Sequence, residues 1–301
     1  MRILLQFPEG LKNKAKGEAE KLEREGHEVF ISSARCFGAC DLALEEARTL
    51  KVDLLRHYGH AEFQKVKGEA FRIEYVPYPL DVKLTVIKKG LKVLSQYKSI
   101  GLLTTVQHVH LIPEIRYILE SAGHRIIVEK GGPHTRYPGQ VLGCDTLAAT
   151  KAAKKADCLL YFGGGFFHPL GIDKHIPTFI FDPFSGLIKR LDDELDKIQK
   201  RRRGMILACA SQTVKTFGIL VSTKNGQFNL EVAVRIKKIL ERKKRKGYIL
   251  VSNFIDPEAL QDFNFFDAYI NTACPRIPDD YERYGKPIID VSDFWMLEKL
   301  L

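Results

Sequence analysis

Residues 28–60 read EVFISSARCFGACDLALEEARTLKVDLLRHYGH, and residues 125–168 read RIIVEKGGPHTRYPGQVLGCDTLAATKAAKKADCLLYFGGGFFH. The two stretches share one order: a short apolar strand, a loop carrying glycine and cysteine, a helix-like segment, then a second apolar strand closed by glycine. Cys40-Asp41 answers Cys144-Asp145, each ahead of a helix, where aspartate suits the N-terminus. Upstream, Glu25-Gly26-His27 answers Ala122-Gly123-His124 at a turn from helix to strand, with glycine supplying the residue after the helix end. Downstream, Val52-Asp53-Leu54-Leu55 answers Ala156-Asp157-Cys158-Leu159-Leu160.

Working outward, the first repeat predicts strand 3–7, helix 14–25, strand 28–32, a helix ending near 50, and strand 52–57. The second predicts strand 99–104, helix 113–121, strand 125–129, a helix ending near 156, and strand 157–162. A looser third copy predicts strands 217–222, 248–252 and 268–271 with helices 230–240 and 257–262, and its cysteine, Cys274, follows the last strand. Strands alternating with helices argue an α/β class with short, mainly parallel sheets. Three similar α/β domains follow, over 1–97, 98–203 and 204–301, arranged about a pseudo-threefold axis.

Composition bounds what such a chain does. With 45% apolar and 28% charged residues over 301 positions, it buries a sizeable core and is not a disordered chain. No 18 apolar residues run together, which excludes a spanning helix, and the apolar start Met1–Phe7 is too short for a signal peptide. A cytoplasmic setting is expected, where six cysteines mean metal, catalysis or core filling rather than a disulfide scaffold.

The formal charge of +10 has two addresses: Lys197, Lys200, Arg201, Arg202 and Arg203, then Arg242, Lys243, Lys244, Arg245 and Lys246. Without those ten cations the balance is 37 against 37. Neither run has the interleaved aromatics of a single-strand nucleic-acid platform, so each reads as the cationic end of a helix, and a nucleic-acid partner is not expected.

Cys40, Cys144 and Cys274 supply one cysteine per repeat, too far apart in sequence for any short-range metal motif. In parallel α/β units, residues just beyond the strand C-termini gather in one crevice. If three units pack about a pseudo-threefold axis, the three loops meet at its centre. Three thiolates leave one corner of a 4Fe–4S cluster open to substrate, which four do not. Cys36 and Cys40 form a CxxxC, similar to the first half of the CxxxCxxC loop of radical enzymes, but no third cysteine follows at that spacing. Cys36 therefore reads as a local packing or accessory thiol. Cys158 and Cys209 lie in apolar runs and read as core.

The longer motifs carry a resemblance. Leu5-Gln6-Phe7-Pro8-Glu9-Gly10-Leu11, Phe37-Gly38-Ala39-Cys40-Asp41 and His57-Tyr58-Gly59-His60 resemble the first domain of the archaeal diphthamide-synthesis enzymes. Gly139-Gln140-Val141-Leu142-Gly143-Cys144 and Gly163-Gly164-Gly165-Phe166-Phe167-His168-Pro169-Leu170-Gly171 are similar to the second. Thr223-Lys224-Asn225-Gly226-Gln227 and Asn271-Thr272-Ala273-Cys274-Pro275-Arg276-Ile277 match the third, so the resemblance covers essentially the whole chain. It implies a 4Fe–4S cluster on Cys40, Cys144 and Cys274, S-adenosylmethionine as co-substrate, a homodimer and an electron donor. It further implies radical transfer of a 3-amino-3-carboxypropyl group to a histidine of translation elongation factor 2, with release of methylthioadenosine.

Other positions carry weaker signals. Gly163 and Gly164 follow a strand and permit close approach of a ligand to the backbone, although a tight turn uses the same residues. Arg276 suits a carboxylate or an ordinary surface ion pair. With Gln227, these are the candidate S-adenosylmethionine contacts. His57, His60 and His168 end strands at corresponding places and are candidates to line a cleft. Two rival readings are a quinolinate-synthase-like condensing enzyme with a three-cysteine cluster, and a basic RNA-binding protein whose cysteines are core.

Overall fold

The structure is a computed structural model that describes residues 1–172 and 176–301. The chain divides into two compact units, Met1–Asp192 and Asp193–Leu301. In the first unit, β1 (Arg2–Gln6), α1 (Ala15–Arg24), β2 (Glu28–Ile31), α2 (Leu44–Leu50), β3 (Leu54–Tyr58) and β4 (Arg72–Val76) build a parallel sheet in the order β2-β1-β3-β4. After α3 (Thr85–Leu94), a second sheet follows from β5 (Ser99–Thr104), α4 (Ile112–Ser121), β6 (Arg125–Ile127), α5 (Leu147–Ala153), β7 (Cys158–Phe162), β8 (Thr178–Phe181) and β9 (Ile188–Arg190). Its order is β6-β5-β7-β8-β9, with only β9 antiparallel.

The second unit opens on α6 (Asp192–Ala210), which starts at the boundary residue. It continues through β10 (Thr216–Ser222), α7 (Leu230–Arg242), β11 (Lys246–Ser252), α8 (Pro257–Gln261), β12 (Ala268–Asn271), β13 (Ile288–Asp290) and α9 (Val291–Leu297). The sheet order is β11-β10-β12-β13, all parallel. The α/β class with three mainly parallel sheets is as the sequence predicts, and each sheet repeats one strand order. Every sheet also has a fourth strand that the apolar pattern did not reveal.

The first strand of each repeat is central, so both of its faces are buried and it reads as a continuous apolar run. In β1, Ile3 and Leu5 pack with Leu22 of α1, while Leu4 faces Ala47 of α2. In β5, Ile100 and Leu102 meet Ile87, Leu94, Ile115 and Leu119 of α3 and α4. Gly101, on the opposite face, lets α5 lie close: a Cβ there would stand 2.9 Å from that of Ala152. In β10, Phe217, Ile219 and Val221 pack with Ile236 and Leu240 of α7.

One aspartate per repeat ties the third strand to the start of the first. The Asp53 carboxylate accepts the Arg2 N–H at 2.7 Å, and the Asp53 N–H returns to the Arg2 carbonyl at 2.8 Å. Asp157 accepts from Lys98 and Ser99 at 3.0 and 2.8 Å, and donates its own N–H to the Ser99 carbonyl. Asp267 accepts from the N–H groups of Lys215 and Thr216, both at 2.8 Å, and from the Thr216 hydroxyl at 2.7 Å. Burial works against ionising Asp267, but those hydrogen bonds prevail and hold its carboxyl below the usual range.

The helix ends also repeat. Gly26 and Gly123 take positive φ after α1 and α4, and the following His27 and His124 donate their N–H groups to Leu22 and Leu119. In the third repeat Lys244, at φ 58°, stands in that place, and Arg245 donates to Leu240. The second basic run therefore closes a helix, as expected. The first does not: α6 runs on to Ala210, so Lys197–Arg203 lies mid-helix. Lysine and arginine are good helix formers, and Ile206 and Cys209 anchor the end of α6 in the core.

Replacing Asp267 with asparagine removes a charge-assisted clasp that is largely open to solvent. It is expected to lower stability by about 1 kcal/mol at neutral pH. Because the folded-state pKa is depressed, the clasp is present above the ordinary carboxylate pKa and is lost as pH falls through the lower, folded value. Denaturant titrations of both proteins should show the difference shrinking on acidification.

Candidate functional site

In parallel sheets the loops leaving the carboxyl ends of the strands share one edge, and each repeat places a cysteine there. Cys40 lies between β2 and α2, in a loop pinned from below by Gln6, the last residue of β1. The Gln6 side-chain amide donates to the Asp41 carbonyl at 2.7 Å, and its oxygen accepts the Ala43 N–H at 3.1 Å. Asp41 folds back to accept the Phe37 N–H at 3.2 Å.

Cys144 lies between β6 and α5, at the tip of a turn closed by paired backbone hydrogen bonds between Leu142 and Asp145. The Asp145 carboxylate accepts from the N–H groups of Gly132, His134 and Leu147 at 3.1, 3.2 and 3.3 Å. A Cβ on Gly132 would stand 2.4 Å from that carboxylate, so only glycine fits this approach.

Cys274 follows β12, where Asn271 holds the loop. Its side-chain amide donates to the Cys274 carbonyl at 2.8 Å, and its oxygen accepts the Ala273 N–H at 3.1 Å. This loop corresponds to Gly59-His60 after β3 and Gly163-Gly164 after β7, not to the loops of Cys40 and Cys144. The shift in sequence position therefore moves the third cysteine one loop along the same kind of edge.

Cys40 and Cys274 are half-buried and Cys144 is exposed, whereas Cys36, Cys158 and Cys209 are buried. Burial, with a smaller push from Asp157, raises the Cys158 thiol to about 12. Burial, then Asp293, does the same to Cys209, also to about 12. Both behave as apolar core atoms, as the sequence predicts.

Cys36 stands beside a chain of polar contacts. His57, fully buried in β3, has Nδ1 at 2.8 Å from the Gln6 side-chain oxygen and Nε2 at 2.9 Å from His60 Nδ1. The backbone contacts of Gln6 fix which end of its amide is oxygen, so His57 Nδ1 must carry the proton it donates. Neutral His57 then accepts at Nε2, and His60 donates from Nδ1. Burial pulls both imidazoles toward the neutral form, His57 well down and His60 to about 4.

The candidate substrate contacts lie at the same strand ends. A Cβ on Gly163 would be 2.9 Å from the Tyr161 hydroxyl, and one on Gly164 would be 2.9 Å from the Phe184 ring. Close packing against the buried Tyr161 thus already favours glycine at 163, whereas the exposed Phe184 ring can swing away from a side chain at 164. Gln227 is half-buried in the turn after β10, its N–H donating to the Lys224 carbonyl. Arg276 is only 7% exposed and pairs with Asp279 at 2.6 Å. Burial lowers its pKa against the pull of Asp279, whose own carboxyl is raised by burial. Arg202 of the first basic run approaches the same carboxylate at 3.9 Å. His168 is half-buried ahead of the short helical turn Pro169–Gly171.

Residues 7–299 match a protein family described as "Putative diphthamide synthesis protein". The chain belongs to the diphthamide-synthesis family. Its similar relatives include the 2-(3-amino-3-carboxypropyl)histidine synthase of Pyrococcus horikoshii, 33% identical over 303 residues that cover 98% of this chain and 85% of the relative. The synthase of Methanocaldococcus jannaschii is 29% identical over 315 residues, covering 99% and 84%. Among solved structures, Dph2 from Pyrococcus horikoshii, crystallised also with a 4Fe-4S cluster, matches with a TM-score of 0.89 and 32% identity over 100% of this chain and 86% of that one.

For a member of the diphthamide-synthesis family, the donor chemistry suits an iron–sulfur cluster. Three thiols sit outside the apolar cores, one on a strand-end loop of each sheet, and each loop is held by a buried amide or carboxylate. Gln6, Asp145 and Asn271 were not singled out as loop anchors from sequence. For Gln6 and Asn271 a signal was present: each is the polar last residue of an otherwise apolar strand, where a buried side chain must find partners.

Alkylation of the folded, iron-free chain at pH 8, followed by peptide mapping, should label Cys144 and spare Cys158 and Cys209 until the chain is unfolded.

Proposed function

We propose that this protein is a 2-(3-amino-3-carboxypropyl)histidine synthase. It transfers the 3-amino-3-carboxypropyl group of S-adenosylmethionine to carbon 2 of a histidine imidazole, the first step of diphthamide formation. The observation that carries this reading is the chain-long match to the archaeal synthases together with one accessible, loop-anchored thiol at the carboxyl edge of each sheet. Cys40, Cys144 and Cys274, one from each of the repeats 1–97, 98–203 and 204–301, are the proposed ligands of the 4Fe–4S cluster.

When bound, the cluster supplies the electron that cleaves the sulfonium bond on the methionine side of S-adenosylmethionine and releases methylthioadenosine. The chain's own part is to hold the ligand loops and to orient the substrate. Gln6, Asp145 and Asn271 fix the backbone around the three cysteines, each within its own loop. Gly163, Gly164, Gln227 and Arg276 are the proposed S-adenosylmethionine contacts. For Arg276, engagement of the substrate carboxylate competes with Asp279, which already occupies its guanidinium.

The acceptor in this reading is translation elongation factor 2 in the cytoplasm, with the chain working as a homodimer beside an electron donor. No helix among the described residues is long and apolar enough to cross a membrane.

Anaerobic protein reduced with dithionite and given S-adenosylmethionine should form methylthioadenosine; 5′-deoxyadenosine in its place would sink the proposed cleavage. Single serine replacements of Cys40, Cys144 or Cys274 should lower bound iron and abolish product, whereas Cys158→Ala should keep both. Full iron and activity in all three serine variants would reject the ligand assignment.

The exposed members of the basic runs, Lys197, Lys200, Arg203, Arg242, Lys243, Lys244 and Lys246, are free of the core. Neutralising them should slow modification of the protein acceptor several-fold at low ionic strength and little at high salt, where screening shortens their reach. Equal rates at both salt concentrations would leave these residues as helix surface alone.

A further inference from the structure

Cys36, His57 and His60 form a side-chain group that the three-cysteine assignment does not use. One donor atom from each lies within 4.8 Å of the other two. Cys36 is 4% exposed and His57 is fully buried, so the group is built into the first sheet and is not scattered over its surface. The parts come from adjacent strands: Cys36 from the loop after β2, His57 from within β3, His60 from just beyond β3, and Gln6 from β1 between them.

We propose that Cys36 Sγ, His57 Nε2 and His60 Nδ1 bind one divalent metal ion of borderline softness, zinc above all. The set is one thiolate and two imidazoles with no carboxylate, which suits zinc and disfavours magnesium or calcium. The His57 ring is already oriented for the task. Its Nδ1 proton is given to the Gln6 oxygen at 2.8 Å, which turns the Nε2 lone pair toward His60. A metal-ligating histidine almost always donates its other ring N–H to a carboxylate, a carbonyl oxygen or water, and the Gln6 oxygen fills that place.

The two nitrogens are spaced close to what the ion needs, and Cys36 Sγ lies within 4.8 Å of both, against the about 3.6 Å that tetrahedral bonds set. Tetrahedral zinc with bonds of about 2.0–2.1 Å to nitrogen sets its two imidazole nitrogens about 3.3 Å apart. His57 Nε2 and His60 Nδ1 stand at 2.9 Å, so the rings open by a few tenths of an ångström. The ion takes the place of the proton between the rings. That proton moves from Nδ1 of His60 to its Nε2, the Cys36 thiol releases its own proton to solvent, and the site carries a net charge of +1. A water molecule fills the fourth position.

None of the three donors is a proposed cluster ligand, so this site and the cluster are separable by experiment. The full-length protein as isolated, its iron measured, is given one equivalent of Zn²⁺ and its zinc-edge X-ray absorption recorded. Iron–sulfur absorption does not obscure that edge. The expected result is one bound zinc with one sulfur and two imidazole neighbours. Cys36→Ser should remove the sulfur shell and weaken zinc binding at least about tenfold. His60→Gln, at a half-buried position, should lose one imidazole shell, with circular dichroism confirming that the chain stays folded. Cys144→Ser and Cys274→Ser should leave the zinc spectrum unchanged. Two or more sulfur neighbours, indifference to Cys36→Ser, or dependence on Cys144 would overturn the proposal.

Discussion

A reciprocal clasp between the first and third strands of each repeat sets the rest of this structure. Asp53, Asp157 and Asp267 each accept backbone N–H groups at the start of a central strand, and each returns its own N–H to that strand. These charge-assisted hydrogen bonds form in one register only, so the clasp favours it over the others a short parallel pair could take. A slip of one residue would turn Ile3 and Leu5 away from α1 and send Leu4 toward it. Register in turn decides which residue comes last. Gln6, Thr104 and Ser222 end the central strands, all buried and polar. Gln6 anchors the Cys40 loop, Thr104 donates to the Phe162 carbonyl, and Ser222 donates to the Asn253 carbonyl. The chemistry at the carboxyl edge thus begins with a hydrogen bond at the amino edge.

Much of this was legible in the sequence because buried central strands are continuous apolar runs. The strands around Leu4, Leu102 and Leu220 stand within a residue of their predicted limits. The fourth strands escaped for different physical reasons. β4 reads Arg72-Ile73-Glu74-Tyr75-Val76, an edge strand with charged residues on its outer side. β13 is fully buried but has only three residues, too few to show a period. The third helix end was legible from its basic run, although Lys244 takes the left-handed conformation that glycine takes in the other two repeats. The cysteines were visible through the repeat. For the buried partners of their loops, a polar residue closing an apolar strand signals that it needs a partner, but which backbone groups it takes emerges only when the strands align.

The charge runs divide by environment. Arg245 is 6% exposed and donates to the Ser211 and Val214 carbonyls, so it ties α7 and β11 to the segment before β10. Arg201 lies over the Tyr281 ring, and Arg202 approaches Asp279. Arg202 also draws on Asp290 and Asp293, whose carboxyls, like that of Asp279, are raised by burial. Part of the cationic excess therefore belongs to a partly dehydrated acidic neighbourhood, and only the remainder faces solvent.

The closure of each sheet within its own stretch of chain bears on the order of events at the ribosome. The strands of the first sheet end at Val76 and those of the second at Arg190, both within the unit Met1–Asp192, and units of this size fold as they emerge. Cys40 and Cys144 are therefore presented on finished scaffolds while Cys274 is still to be synthesised. Under the three-cysteine assignment, iron loading is a late maturation step, and the nascent chain meanwhile carries an exposed thiol at Cys144 that must be kept reduced.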